Sequence, residues 1–377
     1  MDYLSRYIES KILSRLVPGK VVVLLGARRV GKTVLLKKIT EQFQTGKLFL
    51  NADDYRTEAL LTHKSAEEYR SLIGNNNLLL IDEAQKIQDI GRILKIMVDE
   101  MPQLRILVTG SSAFDLTNKL GEPLTGRKST LYLYPFAQCE LIQTENILNT
   151  QALFESRLIY GSYPELFYLK DNEEKVNYLN DLVSSYLLKD ILELDSVKNS
   201  SKILNILRLL TYQVGMEVSV NEVANKAGLN KGTVERYLDL LTKVFVIFKV
   251  EGYSRNHRKE ISRSSRYYFW DNGVRNLLAA NFNPINLRND SGQLWENYMI
   301  SERKKWQAYN EMIVNNYFWR TYDQQEIDWV EERQGQLFGY EIIMNMKKVK
   351  APGGWRTTYP DAHFETINTE NYLQFIT

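Results

Sequence analysis

Residues 21–33 constrain this chain more tightly than any other stretch. Val21-Val22-Val23-Leu24-Leu25 is an unbroken apolar run, and Gly26-Ala27-Arg28-Arg29-Val30-Gly31-Lys32-Thr33 follows it directly. Such a run, ended by glycine, reads as a strand buried on both faces of a parallel sheet. Beyond it, Val34, Leu35, Leu36, Ile39 and Phe43 recur at helical spacing. Between a strand and a helix, the pattern Gly-x-x-x-x-Gly-Lys-Thr is a P-loop signature. Gly26 and Gly31 let the backbone curl, so that N–H groups of the stretch from Gly26 to Val34 and the helix N-terminus face phosphate oxygens. Lys32 is expected to reach the β- and γ-phosphates, and the Thr33 hydroxyl to sit on Mg²⁺. The expected ligands are therefore a nucleoside triphosphate and Mg²⁺.

A chain of 377 residues points to two to four domains. Its 44% hydrophobic and 25% charged residues are those of a globular protein without a membrane-spanning segment. The single cysteine, Cys139, excludes an intrachain disulfide and fits a reducing compartment. Charges interrupt the first nine residues, Met1 to Glu9, so no signal peptide is read there, and the expected location is cytoplasmic. A net charge of +2 leaves any basic surface local.

In chain order, the first twenty residues read as an amphipathic helix through Leu4, Ile8, Ile12, Leu13 and Leu16, ending near Pro18-Gly19. Lys47–Asn51 reads as a second strand. Leu78-Leu79-Leu80-Ile81 then delivers Asp82 and Glu83 at a strand's carboxyl end, where open α/β sheets bind their ligands. Asp82 suits the Mg²⁺ shell and Glu83 suits polarising an attacking water; a helix-capping role is the plainer reading of both. Arg105 to Ser112 is another strand, ending in hydroxyls. Ser111 and Ser112 either sense the γ-phosphate through a water or cap a helix. Thr130–Tyr134 reads as a fifth strand, and Arg127 before it is either an arginine finger or a surface arginine.

The runs Gly26–Thr33, Ile81-Asp82-Glu83-Ala84-Gln85, Thr109-Gly110-Ser111-Ser112, Thr125-Gly126-Arg127 and Tyr160-Gly161-Ser162-Tyr163-Pro164-Glu165 together resemble one bacterial and archaeal family. These are AAA-type P-loop ATPases with a C-terminal domain of unknown function (DUF4143-like). The resemblance spans nearly the whole chain. It implies an α/β multidomain fold with an additional-strand P-loop domain on a parallel sheet. It also implies ATP rather than GTP, and Walker roles for Lys32, Asp82 and Glu83. Ala27 stands where relatives often carry proline.

Four segments are expected: a P-loop ATPase domain over 1–140, a helical connector over 141–215, a winged-helix domain over 216–287 and an α/β domain over 288–377. In the connector Leu179, Leu182, Val183, Tyr186, Leu187 and Ile191 recur at helical intervals. Val218–Gly228 and Lys231–Leu238 read as helix, turn and helix. Two strands, Val244–Val250 and Arg266–Trp270, then flank a basic loop with Arg255, Arg258, Lys259 and Arg263. With Lys231 and Arg236 these are candidates for duplex DNA contacts. Glu235 and Asp239 on the same helix leave protein docking open as the alternative.

In the last segment, a helix starting at Gly292, strands at Asn316–Arg320, Glu326–Val330 and Gly339–Ile343, and the acids Glu296, Asp328 and Glu341 resemble a restriction-endonuclease-like core. In that core, paired carboxylates hold Mg²⁺ and a lysine two residues after the second acid assists the attacking water. Ile343 occupies the lysine's place, so the core reads as degenerate and a nuclease is not expected. The leading expectation is a Mg²⁺-dependent ATPase, DNA-associated, whose nucleotide state controls its C-terminal domains. A nucleotide switch that binds protein partners is the alternative. An oligomer is compatible with either, and no membrane partner is expected.

Overall fold

A computed structural model describes residues 3–44, 46–111, 124–187, 200–255 and 264–377. Contacts divide the chain into two compact units. The first runs to Pro135 and includes the short segment Lys243–Phe245; the second holds nearly everything from Phe136 onward.

The first unit is built on five parallel strands: β1 (Val21–Leu25), β2 (Lys47–Asn51), β3 (Leu78–Asp82), β4 (Arg105–Gly110) and β5 (Lys128–Tyr132), in the order β2-β3-β4-β1-β5. β1 and β3 are buried at every position, as unbroken apolar runs require of central strands, while the edge strands β2 and β5 are largely half-exposed. β4 lies between β1 and β3, with Leu25 opposite Gly110 and Ile81 opposite Val108. This register brings the carboxyl ends of all three strands to one edge of the sheet. The sequence placed the fifth strand two residues late. Its pairing with β1 begins at Lys128, and Tyr134 lies beyond it. The first helix is also shorter than expected, covering Glu9–Arg15.

The second unit opens with helices, among them Gln138–Leu141, Ile147–Tyr160, Asn172–Asp181 and Ser200–Thr211. The Tyr160–Glu165 motif joins two parts of this unit. Asp271 accepts hydrogen bonds from the Ser162, Gly273 and Val274 N–H groups, at 2.7, 2.9 and 3.2 Å. A Cβ at Gly273 would come within 1.9 Å of the Tyr160 carbonyl oxygen, so only glycine fits there.

Helix Val220–Ala227 starts on the Ser219 hydroxyl, which accepts from the Glu222 N–H, and stops at left-handed Gly228 (φ 62°). Helix Lys231–Lys243 follows after Leu229 and Asn230. The two strands after it, β6 (Ile247–Gly252) and β7 (Ser265–Phe269), pair antiparallel as a hairpin.

That hairpin is continuous with strands that lie beyond the expected 287/288 boundary. It joins β8 (Asn315–Arg320), β9 (Glu326–Arg333), β10 (Gln336–Ile342) and β11 (His363–Ile367) in one mixed sheet of order β11-β10-β9-β8-β6-β7. The parallel pairing of Glu251 and Gly252 in β6 with Tyr317 and Phe318 in β8 makes the join. Helix Ser291–Tyr309 is tied to this sheet through Asn297, which exchanges hydrogen bonds with both backbone groups of Phe269 (2.8 and 3.0 Å). Trp295, Trp319, Trp329 and Trp355 are fully buried, as core packing rather than base stacking requires. Among the described residues no helix is long and apolar enough to cross a membrane.

Candidate functional site

At the carboxyl edge of the first sheet, β1 runs into Gly26. A Cβ there would lie 2.1 Å from the Leu133 carbonyl oxygen, which explains the first glycine of the motif by close backbone approach. Arg29 and Gly31 adopt left-handed conformations (φ 64° and 95°), and the helix Lys32–Glu41 begins immediately after. The turn thus closes on a helix N-terminus, where backbone N–H groups and the helix dipole favour phosphate. Val30 is buried, and Val34 is exposed on the helix's first turn.

The Lys32 side chain is only 4% exposed, and its ammonium donates to the carbonyl oxygens of Gly26 and Ala27, each at 2.9 Å. Glu83 lies 3.8 Å from the same ammonium. The Thr33 hydroxyl donates to one Asp82 carboxylate oxygen at 2.6 Å, and the Thr109 hydroxyl donates to the other. Lys32, Thr33, Asp82 and Glu83, widely separated in sequence, thus come together at one sheet edge. The donor set fits a triphosphate with Mg²⁺: a buried ammonium within a curled backbone, and a hydroxyl and a carboxylate as hard oxygen ligands. Mg²⁺ needs only one or two protein oxygens besides phosphate and water.

Glu83 takes a left-handed backbone (φ 53°), uncommon for a residue with a side chain. Two groups hold it there. Its N–H donates to the Thr109 hydroxyl at 3.0 Å, and the Gln85 amide donates to its carboxylate at 2.7 Å. Gln85 also donates to the buried Ser111 hydroxyl at 3.0 Å, which places Ser111 one side chain away from Glu83. Ser112 lies outside the described residues.

Arg127 is not at this edge. Its carbonyl accepts from the N–H of Val21, the first residue of β1, whereas the P-loop follows the last. Five residues of strand, roughly 16 Å at the usual rise, separate the two ends. The half-exposed Arg127 guanidinium pairs with Asp99. It therefore does not serve the phosphate turn of its own chain.

Sequence reasoning missed Arg6, which is 4% exposed and donates to the Val30 carbonyl in the P-loop and to the Tyr134 carbonyl, each at 2.7 Å. An arginine ahead of an amphipathic helix gives no sign of such contacts. Thr109 and Gln85 were visible as parts of motifs, but their roles depend on strand order.

In the second unit, Glu296, Asp328 and Glu341 do converge, but around an arginine. Arg266, buried on β7, places its guanidinium 3.9 Å from Glu296, 3.5 Å from Asp328 and 2.9 Å from Glu326. The Tyr268 hydroxyl donates to Glu296 at 2.8 Å, and the Ile342 N–H donates to Asp328 at 3.0 Å. Burial first, then the nearby Asp328 charge, pushes the Glu296 and Glu341 carboxyls up to about 8. Ile343 follows Glu341 two residues on, hydrogen-bonded to Ile367 as the pairing of β10 with β11 continues. The cation of this cluster comes from a distant strand, and no local sequence spacing could reveal it.

The helix-turn-helix candidates are largely matched by acids. Lys231 pairs with Glu235 at 3.6 Å and Arg255 with Glu332 at 3.8 Å, while the Arg236 guanidinium lies over the Tyr237 ring. Arg258, Lys259 and Arg263 lie outside the described residues.

Comparison with known proteins finds three separate matched stretches. Residues 18–142 match a family model described as an AAA domain, 151–285 one described as a domain of unknown function (DUF8612), and 291–354 one described as a domain of unknown function (DUF4143). An uncharacterised protein of Mycobacterium tuberculosis is 26% identical over 329 residues, covering 85% of this chain and 70% of the relative. One from Methanocaldococcus jannaschii is 23% identical over 324 residues, covering 80% and 70%. A Walker-type ATPase of Pyrococcus abyssi superposes over 74% of this chain and 96% of its own, with 17% identity and a TM-score of 0.49. Over those stretches the chain is similar to an AAA domain and to a DUF4143 domain, and its Gly26–Thr33 turn sits on a five-stranded parallel sheet.

Proposed function

We propose that this protein binds ATP with Mg²⁺ at residues Gly26 to Val34 and hydrolyses it. The observation that carries the reading is the contact of P-loop residues Lys32 and Thr33 with the paired acids Glu83 and Asp82. Lys32 would leave the Gly26 and Ala27 carbonyls for the phosphates, holding charge that grows on transfer. Thr33 and Asp82 would hold Mg²⁺, which neutralises phosphate charge when bound. Glu83 would orient the attacking water and accept its proton. Ser111, through Gln85, would link that carboxylate to the strand end, and Ser111 or Ser112 would sense the γ-phosphate. Arg127 would act on a neighbouring copy in an oligomer, since it cannot serve its own site.

Nucleotide state would then control the C-terminal domains on duplex DNA in the cytoplasm, with Lys231, Arg236, Arg255, Arg258, Lys259 and Arg263 on phosphates. One observation favours the second reading, a switch that binds protein: Lys231 and Lys226 are each paired with a glutamate on their own helix. The DUF4143 core is read as a degenerate nuclease, because Arg266 supplies the positive charge amid its carboxylates and Ile343 replaces the lysine. Duplex affinity measured with and without a slowly hydrolysed ATP analogue, across a salt series, tests the leading reading. Nucleotide-dependent affinity with a steep salt slope supports it. No duplex retention at physiological salt, with a partner captured only when Lys32 is intact, would establish the switch instead.

A further inference from the structure

The P-loop touches the segment through which the chain leaves the first unit at two places. At its start, Gly26 lies against the Leu133 carbonyl so closely that a Cβ would sit 2.1 Å from that oxygen. Just beside this point the Leu133 N–H donates to the Leu25 carbonyl at 2.7 Å. At the loop's apex, the Val30 carbonyl is held by the Arg6 guanidinium, whose other nitrogen holds the Tyr134 carbonyl. Pro135 ends the first unit immediately afterward.

We propose that Arg6 is a positioning residue for the nucleotide site: its planar fork fixes the apex of the P-loop to the Tyr134 carbonyl. This rests on the nucleotide-binding reading above. The chemistry suits arginine. Two carbonyls, 24 and 128 residues away in sequence, each take one charged hydrogen bond from a single rigid group. Alanine leaves both buried carbonyls to find other donors. Lysine carries the charge but has no planar fork to bridge them. The carbonyl of Val30 faces Arg6, so the peptide it belongs to presents the Gly31 N–H on its opposite side. Arg6 thereby sets the direction of one donor of the phosphate cradle without touching phosphate itself. The Arg6 guanidinium lies 3.7 Å from where a Cβ would stand on Gly31, consistent with support from behind the loop.

The test is calorimetric titration of the full chain with ATP and Mg²⁺, for wild type, Arg6→Ala and Arg6→Lys, beside hydrogen exchange of the amides in 26–33. Wild type comes first, because absence of ATP binding there overturns the nucleotide reading and this inference with it. Given wild-type binding, Arg6→Ala is expected to bind about tenfold more weakly or worse, with P-loop amides exchanging faster and those of β3 unchanged. A purely structural role would instead loosen β3 and the P-loop together. Arg6→Ala binding within threefold of wild type, or equal loosening of β3, overturns the proposal. If Arg6→Ala does not fold, Arg6→Lys decides: a loss of at least threefold, with faster exchange confined to the P-loop, supports it. Smaller loss or wild-type exchange overturns it.

Discussion

Replacing Gly26 with alanine adds one methyl group at the most crowded point of the site. Its Cβ would lie 2.1 Å from the Leu133 oxygen and 3.1 Å from the Leu133 carbonyl carbon. Ordinary contact begins at about 3.4 Å, so one backbone must retreat by roughly 1.3 Å. The Leu133 side of the contact is tied, its N–H to the Leu25 carbonyl and the next carbonyl to Arg6. Gly26 is tied as well, its N–H to the Gly110 carbonyl and its own carbonyl to Lys32, so the displacement reaches the P-loop and the Leu133 segment together. Overpacking of this kind costs about 1–3 kcal/mol. Expressed in the bound conformation, that is roughly a 5- to 150-fold loss of ATP affinity at about 1.4 kcal/mol per tenfold. Titration calorimetry measures it, with a thermal melt to detect strain transferred to the fold. Gly292→Ala, where an added Cβ meets nothing within 4 Å, is the control. Wild-type ATP affinity and an unchanged melting temperature in Gly26→Ala would refute the reasoning.

Other outcomes follow from the second unit. Arg266→Met removes the buried cation between Glu296 and Asp328, so unfolding of this unit in urea should become easier by about 3–5 kcal/mol, as for other broken buried pairs. Glu296 and Glu341 titrate near 8 when folded, against an ordinary glutamate value near 4.5. The folded state thus holds more protons between these values, and stability, full below about 4.5, should fall as pH rises toward 8. Glu296→Gln should flatten that slope, read from urea midpoints across the pH series; an unchanged slope would contradict the assignment.

Much of the first unit was legible because its signals are local. The unbroken apolar run at Val21–Leu25, the glycines of the turn and the acids ending Leu78–Asp82 each predict their element without knowledge of neighbours. Strand order then brought Lys32, Thr33, Asp82 and Glu83 together. What stayed hidden depends on pairing between distant segments. Arg6 and Arg266 act on groups that fold beside them from far along the chain. The Val244–Val250 and Arg266–Trp270 strands were legible as strands, but not as members of the C-terminal sheet, because β6 joins β8 through a parallel crossover. Arg127 shows the converse: a residue that a sequence motif offers for the site lies at the amino edge of β5, away from its own phosphate turn. β11, with His363, Phe364 and Glu365 giving weak alternation, carried too little signal to be seen.

The measurement that bears most directly on the account is steady-state ATP turnover by the purified chain with Mg²⁺, with and without duplex DNA, beside Glu83→Gln. The account predicts Mg²⁺-dependent turnover that DNA accelerates and that Glu83→Gln lowers by about a hundredfold or more while ATP binding persists. Turnover by Glu83→Gln equal to wild type would contradict the role assigned to the acid pair, and turnover indifferent to DNA would contradict the coupling.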